Sequence, residues 1–205
     1  MMKRSFKENG FTLAETLVAV AIFTAVMAAV WALQISIFSN QRTVSGSLQT
    51  AQDAETILKT MLTELRAAAP GGNGAYTIAS AATNTISFFS DPDDDGQTEK
   101  LTYSLFGTNL YRAVIQPSGS PVVYNIASQT TTTLMTNVRN GTSTLVFQYF
   151  DQNYTGTSSP LTLPVDIPSV RLVGITLILD VSTNLAPAAR TYSTVANLRN
   201  LKTNL

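Results

Sequence analysis

From Phe11 the chain stays apolar as far as Phe38, and Glu15 is the only charged side chain between Gly10 and Arg42. The run exceeds the ~20 residues that carry a helix across a bilayer core. Residues 11–38 are therefore expected to form a transmembrane helix. After Arg42, apolar residues recur at Val44, Leu48, Ala51, Ala54, Leu58, Met61, Leu62 and Leu65, mostly three or four apart. That spacing predicts an amphipathic continuation over 39–68, with Glu55 and Lys59 one i,i+4 step apart on the other face. Ala-Pro-Gly-Gly-Asn-Gly at 69–74 stops the helix, and Gly46 is a candidate soft point within it.

Beyond residue 75 the period changes to two. Leu101, Tyr103 and Leu105 alternate with Lys100, Thr102 and Ser104, and Gly107-Thr108-Asn109 reads as a turn into a strand over 110–115. Further strands are expected at 86–89, 122–126 and 145–150. Val173, Ile175, Leu177, Leu179 and Val181 give one wholly apolar face, which should pack on the helix. Residues 190–201 read as the last strand, with 197–205 equally readable as a short helix or tail. Three prolines make 158–168 an extended loop, and Asn140-Gly141 is a turn. Thr130–Thr133 is a short low-complexity patch with no evident chemistry. One helix followed by an antiparallel β-sheet is α+β.

Composition narrows the chemistry. There is no cysteine and no histidine, which excludes disulfides, thiolate nucleophiles, Cys/His zinc sites and imidazole bases. Lys+Arg and Asp+Glu both number 13, and the basic residues of the second half, such as Arg112, Arg139, Arg171, Arg190 and Arg199, are scattered singly. No nucleic-acid partner is expected. Trp31 reads as an interface-belt or helix-packing residue, and the aromatics of the strands as core.

Glu15 needs a reason. A carboxylate within a membrane run costs about 2.5–3.5 kcal/mol on permissive insertion scales. It lies five positions into the run, close enough to the end to reach headgroup water. The other reading gives it a cationic partner: if the chain is cut after Gly10, the new α-amino group of Phe11 is available. Lys3, Arg4 and Lys7 precede the run with only Glu8 opposing, which keeps the N-terminus cytoplasmic and sends the bulk across. Ala29 and Ala32 mimic secretory cleavage positions, but the apolar character continues past them.

The stretch K-E-N-G-F-T-L-A-E-T-L-V-A-V-A-I-F resembles the signal of type IV pilins and type II secretion pseudopilins. The resemblance implies cleavage between Gly10 and Phe11 by prepilin peptidase, N-methylation of Phe11, and an assembly contact in which Glu15 neutralises the N-terminus of an adjacent subunit. Residues 163–180, L-P-V-D-I-P-S-V-R-L-V-G-I-T-L-I-L-D, resemble the late strand of J-type minor pseudopilins. The implied organisation is a leader over 1–10, the assembly helix over 11–38, its amphipathic continuation over 39–68 and an extracytoplasmic β-rich domain over 69–205.

Asp91-Pro92-Asp93-Asp94-Asp95-Gly96 contains D-x-D-x-D-G. In a calcium loop, carboxylates at the first, third and fifth positions converge on one ion, and the glycine permits the turn. The candidate ligands are Asp91, Asp93, Asp95, the Gln97 carbonyl and Glu99, with Ca2+ the candidate ion. The twelfth position is Thr102 where the motif wants a bidentate glutamate, and strands rather than helices flank the loop. A solvated hairpin turn is the alternative.

The expected function is therefore structural and not enzymatic: a minor pseudopilin-like subunit of a type II secretion pseudopilus, anchored in the inner membrane and partnered by other pilins or pseudopilins through its helix. The alternatives are a minor pilin of a type IV pilus and a membrane-tethered monomer that binds calcium or another ligand.

Overall fold

The computed structural model describes residues 12–141, 144–180 and 189–201, and of 39–47 the backbone alone. The leader, Gly10, Phe11, Val44 as a side chain, Val181 and residues 202–205 lie outside this description. The described residues fall into two compact units, one ending at Ser45 and one beginning at Gly46. A single helix, α1 (Leu13–Arg66), runs through both spans.

In the first unit every described side chain is exposed. Leu13–Phe38 has a mean hydropathy of 2.3 with none of it buried. Trp31, 68% exposed, is part of that surface.

In the second unit α1 buries Ala54, Leu58, Met61, Leu65 and, just beyond its end, Ala68. Those steps of four and three keep one stripe facing inward. The packed stripe is shorter than its periodicity suggests: Leu48 is 58% exposed. Past Arg66 the chain turns through Pro70 and Gly71, and the terminal carbonyls find outside donors. Ser90 donates to the Glu64 carbonyl and Asn200 to that of Ala68, at 3.0 and 2.8 Å, satisfying groups a helix end leaves unpaired.

Two antiparallel sheets follow, giving the expected α+β architecture. The first is a meander of β1 (Ile78–Ala81), β2 (Thr85–Ser90), β3 (Glu99–Phe106), β4 (Asn109–Ile115) and β5 (Thr130–Met135) in that order. The second has the order β6 (Phe147–Phe150), β7 (Leu172–Leu179), β8 (Arg190–Asn197). Val173, Ile175, Leu177 and Leu179 of β7 share one core cluster with the α1 stripe and with Ile86, Phe88, Leu101 and Tyr103. The two sheets are stitched together where the Phe147 amide donates to the Thr83 carbonyl and the Tyr149 hydroxyl to that of Ala82, at 2.9 and 2.8 Å. Buried Asn140 completes the uncovered end of β7, donating to Thr176 and accepting from Ile178 at 2.7 and 2.9 Å.

One expectation needs correction, and two readings are sharpened. Residues 122–126 are not a strand: Val123 makes an isolated bridge with Ser118, and Ile126 opens a 3-10 turn, Ile126–Ser128. Pro117 and Pro121 lack the amides a ladder needs, and Val123 and Ile126 are exposed, so burial does not favour pairing. The threonine patch is strand β5, because its backbone pairs with β4 although its side chains face solvent. The last strand ends at Asn197, followed by a 3-10 turn, Arg199–Leu201.

Candidate functional site

Glu15 sits at the start of α1. Its Oε2 accepts from the Thr12 amide at 2.9 Å and from the Thr12 hydroxyl at 2.8 Å, while its own amide donates to Thr12 Oγ1 at 3.3 Å. Thr12 is the N-cap and Glu15 the third helical residue, so T-L-A-E is a capping box. The carboxylate also sits favourably at the positive end of the helix. Thr12 is a capping residue not foreseen from the sequence, although the Thr-x-x-Glu spacing was its signal. Glu15 is hydrogen-bonded through one oxygen, and the side chain is exposed.

The acidic loop joins β2 to β3. Asp91 folds it inward, its Oδ1 accepting from the Asp95 amide at 3.2 Å and its Oδ2 from that of Gly96 at 2.9 Å. The left-handed backbone of Asp94 (φ 60°) and Gly96 (φ 84°) makes the turn, which is why glycine suits position 96. Asp95 binds Gln97 through the latter's amide and side chain, at 2.8 and 3.2 Å. Of the predicted ligands, Asp91, Asp93 and Glu99 converge, each with a carboxylate oxygen within 4.8 Å of the others. Asp95 is not in that group.

Glu99 differs from the others in kind. It is 0% exposed, and neither carboxylate oxygen has a hydrogen-bond partner among the described residues. Alternation along β3 explains its place: Glu99 shares parity with buried Leu101 and Tyr103. Burial raises its carboxyl above the ordinary 4.5; its own backbone amide works the other way, and the charges of Asp93, Asp95 and Asp91 add to the rise. The limb leading to it is pinned by Tyr124, whose hydroxyl donates to the Thr98 carbonyl at 2.6 Å and accepts from the Gly72 amide at 2.8 Å.

A second charged group, missed from the sequence, lies inside the domain. Glu64 of α1 accepts from the Tyr103 hydroxyl and pairs with Arg112 of β4, whose Nη2 lies 2.7 Å from Glu64 Oε1. Arg112 is thus not a scattered surface cation. Sequence gave little sign of it, since the partners stand 39 and 48 residues away. The cluster ties helix to sheet and satisfies a buried carboxylate, which is a packing role.

No curated protein matches the chain. Residues 5–31 match the family described as the prokaryotic N-terminal methylation motif. That span holds Lys7 and the end of the leader, Gly10, Phe11, the Thr12–Glu15 capping box and the apolar run as far as Trp31. Residues 5–31 thus carry the N-terminal signal that type IV pilins and pseudopilins share.

Proposed function

We propose that the chain is a minor pseudopilin-like structural subunit of a type II secretion pseudopilus. Prepilin peptidase cleaves it after Gly10, Phe11 is N-methylated, and the subunit assembles with other pseudopilins through its N-terminal helix. The observation that carries this reading is the exposed helix: among the described residues none covers the apolar surface of Leu13–Phe38. Lipid covers it before assembly and neighbouring helices cover it afterwards. Before assembly the β-rich domain lies on the extracytoplasmic side of the inner membrane, as the basic leader favours. The role needs no catalysis. The likeness of residues 163–180 to J-type minor pseudopilins supports the finer assignment.

Glu15 has two separable jobs in this scheme. Within its own chain it caps the helix together with Thr12; between chains its charge neutralises the amino group of Phe11 on a neighbour. Glu15→Gln keeps the capping geometry, since glutamine also serves the box, but removes the charge. Thr12→Ala keeps the charge and loses the cap, at a cost of about 1 kcal/mol in helix stability. Each variant should insert and be cleaved. In a filament-incorporation assay by crosslinking, Glu15→Gln and Glu15→Leu should fail while Thr12→Ala enters. Incorporation of Glu15→Gln at the wild-type level would contradict the intersubunit role. For the finer assignment, deletion should block export through the type II system and leave surface pili intact; lost pili with intact export would instead mean a type IV pilus subunit.

A further inference from the structure

We propose that Asp91, Asp93 and Glu99 form a calcium site at the β2–β3 turn, with Glu99 as the ligand that the fold holds ready. The inference stands apart from filament assembly and rests on two observations. Three carboxylate oxygens lie within 4.8 Å of one another, which suits one ion at the 2.3–2.6 Å typical of calcium–oxygen bonds. Independently, Glu99 is 0% exposed and both its oxygens lack a hydrogen-bond partner among the described residues. A buried carboxylate without a hydrogen bond or counter-charge is costly, and a cation between it and Asp91 and Asp93 removes that cost.

The surrounding chemistry favours calcium. The donors are all hard oxygens. Calcium accepts an irregular shell of six to eight oxygens, whereas magnesium demands near-ideal octahedral geometry and gives up its water reluctantly. Asp93 stands on the exposed loop and Glu99 at the buried end, so an ion enters from solvent and is fixed from within. Asp95, bonded to Gln97, shapes the turn without being a ligand. An affinity of about 10⁻⁴–10⁻³ M is expected, as in extracellular modules.

The test uses the full chain in detergent micelles, stripped of divalent ions, with calcium chloride as the probe and magnesium chloride as the control. By mass action the melting temperature of the wild type should rise by about 3–6 °C at roughly 10 mM calcium. Magnesium should give less than half that shift. Glu99→Gln removes the buried charge with little change of shape, so it should melt higher than ion-free wild type and lose the calcium response. If that variant does not fold, Asp93→Asn decides instead, because it changes an exposed loop residue, and it should weaken the response at least threefold. A flat wild-type response, an equal magnesium shift, or variants that respond like wild type would overturn the proposal.

Discussion

Glu64 receives the Tyr103 hydroxyl on one oxygen and Arg112 on both, and its side chain is only 9% exposed. Removing the cation alone leaves a buried charge with half its partners, so Arg112→Met should destabilise the domain by about 2–3 kcal/mol in denaturant unfolding. Glu64→Met combined with Arg112→Met should recover most of that loss, because no charge then remains uncompensated. A single mutant within about 0.5 kcal/mol of wild type would contradict the burial of this pair. Tyr103 and Tyr149 supply a second test. Burial raises both phenols above their ordinary 10.0, and Glu64 adds its charge to the effect at Tyr103. A group raised in the folded state contributes stability that is complete below its unfolded value and lost above it. Melting temperature should therefore fall as pH climbs past about 10, and Tyr103→Phe should flatten part of that fall. A melting temperature level through that range would show that the phenols ionise freely in the fold.

At the scale of elements, what the sequence revealed depended on whether the signal was local. The helix was legible from its spacing, and its end from Pro70 and the glycines beside it. Where its packing begins was not, since Leu48 fits the stripe as well as Leu58 does, yet only Leu58 is covered by the sheets. The alternating strands β3 and β7 were legible for the same reason. Residues 122–126 looked like a strand by composition, whereas pairing depends on amides that the flanking prolines lack. Conversely β5 carries no inward pattern over its four threonines, and its strand character comes from a partner. The acidic turn was read correctly as a loop between strands. The burial of Glu99 follows from the phase of the β3 pleat, whereas the Glu64 cluster depends on tertiary pairing across long stretches of chain.

Across the whole molecule, the two described units divide the work. The first is an apolar helix that leaves its surface to others, with a capped carboxylate at its head. The second is a self-sufficient core in which the helix stripe and two antiparallel sheets bury one another. A chain built only to anchor a domain in a bilayer gains no more than a helix cap from a glutamate in its membrane run, and insertion is penalised by the charge. A subunit that must recognise a neighbour's new N-terminus does gain from it, provided that terminus is made. Cleavage at Gly10 is thus the step on which the assembly reading depends. We would measure it by mass spectrometry of the N-terminal peptide from the native membrane fraction, in cells with active prepilin peptidase. We predict a peptide beginning at N-methylated Phe11; a chain still beginning at Met1 or Met2 would contradict processing and leave a simple anchor.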